Sequence, residues 1–457
     1  MAAIVPFRGY RFNNQELKDH GGLLIAPPYD VLNHEDQELY LGRHPHNIVH
    51  LDWDRMLPED KSHLTWHDRA ATRLKKWIEE GILVQDSQSA IYVIETQWTH
   101  PITHEPMVRR GFICLLRLEE VTKYATIRLH EQTFSFHKEE RLDLMQKTRA
   151  QLSPIFGFFP DPSSLVLESL KVFLNRTPDV SIKDPAGELH QVNLVTNPEE
   201  QKALVKALAD NTVYIADGHH RYMTALNYRR QLREDCGEKG IKLPEGTSLD
   251  YVMIYLSPMS EKGLKVFPTH RILDCLDMTN DQILSKLEPF TDIKVFSFRQ
   301  GGRNIALDSL RTKLAEDNRK GLTVFGLYLY GSDFLCFVKV KEKVKEALRD
   351  EAPEMASLSL LDVSVLTEVV FKRALGFTEE LLDDPYCISY VSEAEKAIQL
   401  VDQEGKRAAF ILNPTSLAEI LKVTESGYVM PRKATYFYPK VETGLVVNLI
   451  DPMEKVG

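Results

Sequence analysis

The run Val213-Tyr214-Ile215-Ala216-Asp217-Gly218-His219-His220-Arg221-Tyr222 constrains this chain more than any other stretch. An apolar strand pattern stops at a glycine, and Tyr222, Ala225 and Leu226 then begin the buried face of a helix. A glycine at such a junction lets the backbone pass close to a ligand, and the first N–H groups of the helix lack internal partners. The corner is suited to an anion. Asp217, His219, His220 and Arg221 add charge and proton chemistry there. Adjacent helix positions diverge by about 100°, so the two histidines can share one ligand only by straddling the helix start. Arg221 brings a guanidinium fork that matches phosphate or carboxylate. In the plainer alternative Asp217 caps the helix while the histidines pack or face water.

At 457 residues the chain is too long for one ordinary core. Two domains are expected, 1–275 and 276–457, with the tail at 427–451 packing back on the site. Hairpins mixed with scattered helices favour an α+β class over a doubly wound sheet. The net charge of −10 opposes a main affinity for nucleic acid, which needs a basic face or tail. Five scattered cysteines without a C-x-x-C pair read as reduced thiols of a cytoplasmic protein. The apolar window 322–340 is divided by Gly331-Ser332-Asp333 into two alternating runs, which is a hairpin and not a membrane span. The first ten residues carry no signal-peptide pattern.

Apolar periodicity predicts helices near 60–80, 138–151 and 198–209, and strands near 90–98, 110–118, 153–159 and 249–256. Asp184-Pro185-Ala186-Gly187 is a turn with proline second. Later come helices near 280–287, 305–316 and 416–423, two more between 360 and 375, and strands near 293–298 and 407–412.

Three further groups could carry chemistry. His130-Glu131 precedes a charged helix, where a carboxylate could act as general base or metal ligand, whereas Lys138 to Glu140 read as a solvated face. Phe267-Pro268-Thr269-His270-Arg271 repeats a His-Arg pair at a strand end. Met430 to Lys440 places Arg432, Lys433 and Lys440 among aromatic residues, either as a phosphate-binding rim or as the polar edge of a strand. The common nucleotide, zincin and esterase signatures are absent.

The Asp217 to Arg221 stretch resembles the nucleotide-binding motif of the ParB/sulfiredoxin-like fold, closest to its branch of free L-serine kinases. Over nearly its whole length the chain also resembles an uncharacterised prokaryotic family often labelled ParB-related. The landmarks are Pro6-Phe7-Arg8-Gly9, Ala26-Pro27-Pro28-Tyr29-Asp30, His130-Glu131, Ser153-Pro154-Ile155-Phe156, Pro268-Thr269-His270-Arg271 and Tyr436-Phe437-Tyr438-Pro439-Lys440. The resemblance implies a ParB/sulfiredoxin-like core with large insertions, followed by a mixed α+β domain. It implies a phosphotransferase that uses ATP or ADP and Mg²⁺ on a small hydroxylated metabolite, free serine first. Gly218, His219, His220 and Arg221 would then hold phosphates and Asp217 the Mg²⁺, with His220 also a catalytic candidate. Glu131, or Asp30 in its place, would orient the acceptor hydroxyl. His130, His270, Arg271, Lys433 and Lys440 would hold the acceptor carboxylate or product phosphate. Two rivals stand beside this reading: a ParB-type nucleotide-dependent, DNA-associated protein, and a metal-dependent phosphatase or hydrolase with Asp217, His219, His220 and His270 as ligands. A homodimer is compatible with each.

Overall fold

The computed structural model describes residues 3–57, 60, 63–122, 125–131, 136–299, 301–384 and 386–456, without the side chains of 63–65 and 136–138. The chain forms two compact units. Unit 1 comprises Met1–Leu129, Thr133–Lys265 and Pro439–Gly457, and unit 2 comprises His130–Gln132 and Val266–Tyr438. The division is not the sequential one expected at 275. His270–Leu273 pairs with Ile388–Val391, which places it with the later segment, while Asn448–Leu449 pairs with Ala150–Gln151 and draws the end of the chain into unit 1.

Unit 1 is built on a sheet with nine strands among the described residues. In chain order they are β1 (Ile4–Val5), β2 (Ile91–Thr99), β3 (Pro106–Arg117), β4 (Ile127–Leu129), β5 (Ile155–Phe159), β6 (Val180–Lys183), β7 (Leu189–Val195), β8 (Val213–Asp217) and β9 (Tyr251–Pro258). They lie in the order β4-β8-β5-β9-β3-β2-β7-β6, with β1 beside β3. Two pairings, β4 with β8 and β5 with β9, are parallel and the others antiparallel, so the sheet is mixed. Alternate residues such as Phe112, Cys114 and Leu116, or Val252, Ile254 and Leu256, join one buried cluster, as the two-residue period of a strand requires.

Six helices of unit 1 bear on the site or its surroundings: α1 (Asn14–His20), α2 (His34–Arg43), α3 (His63–Glu79), α4 (Phe136–Thr148), α5 (Leu165–Leu174) and α6 (Pro198–Leu208). A seventh, α7 (His219–Glu238), leaves the sheet directly after β8. Tyr222, Ala225 and Leu226 of α7 fill the same cluster as the alternate strand residues, together with Leu170 of α5 and Leu204 of α6. Trp66, Ala70, Leu74 and Trp77 recur at helical spacing on α3 and pack in a second cluster with Phe12, Leu24 and Leu51. The expected 138–151 helix ends at Thr148, because Arg149 adopts a left-handed φ of 49° and Ala150–Gln151 is a strand.

Unit 2 holds a six-stranded sheet: β10 (His270–Leu273), β11 (Thr291–Ser297), β12 (Val324–Leu329), β13 (Phe334–Val340), β14 (Ile388–Val391) and β15 (Ala408–Ile411), in the order β11-β13-β12-β15-β10-β14. β12 and β13 form the expected hairpin, with Gly331 at φ 73° in its turn. α8 (Gly302–Asn318) and α9 (Ala394–Gln403) cover one buried cluster of this sheet. Cys275 and Cys387 are disulfide-bonded, in contrast to the five reduced thiols expected, whereas Cys114, Cys236 and Cys336 are thiols. Their separation of 112 residues leaves no spacing signal in the sequence. No helix among the described residues is long and apolar enough to cross a membrane.

Candidate functional site

The corner between β8 and α7 is formed by Gly218, whose φ of 85° lies where only glycine is unstrained. A Cβ there would stand 2.9 Å from the Arg221 Nε, so the glycine also makes room for the guanidinium to fold back beneath the turn. Asp217 stands at the end of β8, and α7, 20 residues long, directs the positive end of its dipole at the corner.

Two cations converge on Asp217. Lys440 Nζ donates to its Oδ1 at 3.0 Å and Arg221 Nη2 to its Oδ2 at 2.9 Å. Burial opposes the charge of this carboxylate, yet Lys440 and Arg221 hold it well below the usual carboxylate range. Arg221 Nη2 also lies 3.5 Å from Asp30 Oδ2, while Nη1 donates to Ser153 Oγ at 2.7 Å and to the Pro154 carbonyl at 2.6 Å. The guanidinium therefore turns inward, toward its own chain, and not outward as a phosphate fork. Asp30 Oδ1 is buried with no partner among the described groups.

Each of these residues is placed by local sequence. Pro27 and Pro28 favour extended backbone, and the 3-10 turn Tyr29–Val31 follows. It sets Asp30 facing Arg221 and lays the Tyr29 ring under the Arg141 guanidinium at 3.8 Å. Arg141 in turn donates to the Asp52 carbonyl at 2.7 Å. Lys440 is positioned by the buried Arg109, which donates to the Pro439 carbonyl and, at 3.3 Å, to that of Lys440. Tyr29, Asp52, Arg141, Ser153, Arg221 and Thr224 line a small cavity in the same unit. Asp52 was not anticipated as a site residue, while Ser153 stands out in the sequence only as part of a landmark and Arg141 only as part of the charged cluster after His130-Glu131.

Glu442, two residues beyond Lys440, is buried, and burial together with Asp184 and Glu188 pushes its carboxyl well above the usual range. The folded state therefore holds this proton more tightly than the unfolded state, and the stability it contributes falls as pH rises from the ordinary carboxylate range through the raised value. Glu442→Gln should stabilise unit 1 at pH 7. The gain should vanish near pH 4, as read from urea midpoints at the two pH values; a destabilised variant at pH 7 would refute the assignment.

His219, buried, and His220, half-buried, are the first two residues of α7 in unit 1, and the other candidates belong to unit 2. Glu131 Oε1 accepts the backbone N–H of Lys433 at 2.9 Å, with Lys433 at a left-handed φ of 55°. His130 Nε2 lies 2.9 Å from Thr435 Oγ1, and Arg271 Nη2 donates to the Lys433 carbonyl at 3.1 Å. Glu131, Arg271 and Lys433 are thus brought together, while the Lys138 side chain lies outside the described residues. His270 is buried with its Nδ1 accepting the Leu412 N–H at 3.1 Å, and burial and the adjacent Arg271 push it down to about 3. It is a neutral core imidazole, which does not suit the capture of a carboxylate.

The Mg²⁺ expected at Asp217 does not fit the donor set, because both carboxylate oxygens already carry a cation. Among the described residues, the groups whose atoms could share a metal are Glu16 with His44 and His46, and Asp184 with Glu188 and His190. The set Asp217, His219, His220 and His270 is not among them.

A family model described as Protein of unknown function (DUF1015) matches residues 4–364. No curated protein matches the chain. Among solved structures, a variant of free serine kinase in complex with ADP is 12% identical, with a TM-score of 0.32, covering 74% of this chain and 95% of that one. C-terminally truncated SbnI from Staphylococcus aureus is 12% identical with a TM-score of 0.34, covering 74% and 87%. A conserved hypothetical protein from Pyrococcus furiosus is 12% identical with a TM-score of 0.29, covering 72% and 98%. At these values the similarities transfer neither fold nor activity.

Proposed function

We infer a function from the premise that this chain belongs to the family described as Protein of unknown function (DUF1015), which prescribes no reaction, so that the chemistry of the site must supply one. Unit 1 binds nucleotide phosphates at the start of α7 and transfers a phosphoryl group to the hydroxyl of a small metabolite, free serine being the first candidate. The ParB/sulfiredoxin-like core is part of this proposal and rests on the likeness of Asp217 to Arg221 to that fold's motif.

The observation that carries the reading is the pairing of Lys440 with Asp217 at the positive end of a 20-residue helix, directly after a left-handed glycine. Backbone, dipole and ammonium there present positive charge to one anion. Phosphoryl transfer depends mainly on positioning and on neutralising charge. Asp30 supplies the other requirement, since its buried Oδ1 can accept a hydroxyl proton. The acceptor oxygen forms the new bond to phosphorus, the bridging oxygen of the nucleotide leaves with the electrons of the broken bond, and the hydroxyl proton passes to Asp30. Glu131, engaged with Lys433, enters no step. Arg221 fixes Asp30 and Asp217 and acts as a positioning residue.

Calorimetry with ADP and ATP, each with and without Mg²⁺, tests the binding half. About one equivalent of nucleotide should bind, and Lys440→Met should weaken it about 10- to 100-fold, the scale of one charge-assisted contact. Incubation with ATP and a mixture of amino acids and sugars, free serine included, tests the transfer. Asp30→Asn should retain nucleotide and lose product formation by at least about 100-fold. Absence of nucleotide binding at millimolar concentration overturns the reading.

A further inference from the structure

Away from the β8–α7 corner, unit 1 gathers four side chains able to ligate a transition metal. Glu16 and His20 are one turn apart on α1, and so share one face of that helix. His44, Pro45 and His46 follow α2. Proline biases its predecessor away from helix, and His44 is extended at φ −160° and ψ 141°. His44 opens a tight turn, its carbonyl accepting the Asn47 N–H at 2.9 Å and its Nδ1 the His46 N–H at 3.1 Å, and the turn leaves the two imidazole rings 5.2 Å apart. A helical i,i+4 pair thus meets the two histidines of a turn.

The distances match. One nitrogen or oxygen from each of Glu16, His44 and His46 lies within 4.8 Å of the others. His46 Nδ1 stands 3.4 Å from Glu16 Oε2. Two ligands, each about 2.1 Å from a tetrahedral ion, are about 3.4 Å apart, so this pair is already at coordination spacing. The His20 ring packs beside that of His44, with centroids 4.4 Å and planes 34° apart. Trp77 packs edge-on to His46 at 5.4 Å and limits that ring's freedom. All four candidate ligands are half-buried, so an ion has a path from solvent.

We propose that Glu16, His44 and His46 form a binding site for a zinc-class divalent cation, with His20 beside the remaining position. Imidazole nitrogens joined to one carboxylate select borderline first-row ions, whereas magnesium and calcium require oxygen ligands throughout. The ion would join α1 to the segment after α2, independently of the phosphoryl-transfer reading.

The test uses the untagged full-length protein, stripped with a chelator and titrated with Zn²⁺ in competition with a chromophoric chelator. Co²⁺ is added in parallel to read tetrahedral coordination from its visible absorption. One equivalent should bind tightly, with intense cobalt bands. Glu16→Gln and His44→Gln should each weaken Zn²⁺ binding more than about 100-fold, beyond the loss typical of outer-shell partners. Circular dichroism of each variant confirms the fold, and Lys440→Met should leave Zn²⁺ affinity unchanged. No stoichiometric binding, or equal affinity in the Glu16→Gln/His44→Gln double variant, overturns the proposal.

Discussion

Arg221→Met should destabilise unit 1 by about 3–5 kcal/mol, the loss typical of removing one partner from a buried ion pair. Methionine keeps much of the stem volume but strands Asp217 Oδ2, Asp30 Oδ2, Ser153 Oγ and the Pro154 carbonyl together. Urea unfolding at pH 7 reads the change. Because the folded-state pKa of Asp217 is depressed, its contribution is complete above the ordinary carboxylate range and is lost as pH falls through and below it. The difference between wild type and variant should therefore narrow in acid. Combined with Asp30→Asn, the loss should be smaller than the sum of the single losses by about 1 kcal/mol, since the two residues share one contact. A midpoint that does not move at pH 7 would mean that these acceptors are satisfied without Arg221.

Gly263→Ala should cost about 3 kcal/mol, the upper end for overpacking, and should also lower nucleotide affinity although residue 263 touches no proposed ligand. A Cβ at 263 would fall inside van der Waals contact of the Val108 carbonyl and 2.7 Å from the Arg109 amide nitrogen. Neither is the end of a flexible side chain, so the backbone must move. Arg109 would move with it. Its guanidinium holds the carbonyls of Pro439 and Lys440 while lying over the rings of Phe156 and Tyr255 at 5.1 and 4.8 Å. Displacement therefore reaches Lys440 and its contact with Asp217. Stability and ADP affinity should fall together in this variant, whereas Lys440→Met should lower mainly affinity. Unchanged ADP affinity in a destabilised Gly263→Ala protein would break the proposed link.

Local signals in the sequence were read well where one residue decides the backbone. Gly218 ends β8 and opens α7, and Gly187, at φ 92°, closes the turn that begins at Asp184. Both positions need a conformation that glycine alone takes easily. The β12–β13 hairpin and α3 followed from apolar period for the same reason, since each is set by its own residues. Partners distant in sequence were not legible. Nothing in Ala150-Gln151 announces that Asn448-Leu449 will pair with it, or that His270–Leu273 lies between Ile388–Val391 and Ala408–Ile411. α9 has a regular apolar stripe at 394, 397, 398 and 401 and is absent from the expected helices, an omission that periodicity could have prevented. At the site, Asp217, Arg221, Asp30 and Lys440 were visible as residue types. The inward turn of Arg221 was not, because it depends on Ser153 and the Pro154 carbonyl, 68 and 67 residues away.

The placement of Pro439–Gly457 in unit 1 bears on how this protein is made. Gln151 and Asn448, which share a hydrogen bond in the finished molecule, are 297 residues apart. A ribosome adding about 5–20 residues per second separates their emergence by tens of seconds. When Ala408–Ile411 emerges and unit 2 can complete its sheet, unit 1 still lacks the strand at 448–449 and the ammonium of Lys440. The nascent protein thus leaves the two apolar clusters that Val447 and Ile450 complete partly uncovered for most of its synthesis, and chaperone occupancy should concentrate there until residues 447–450 leave the tunnel.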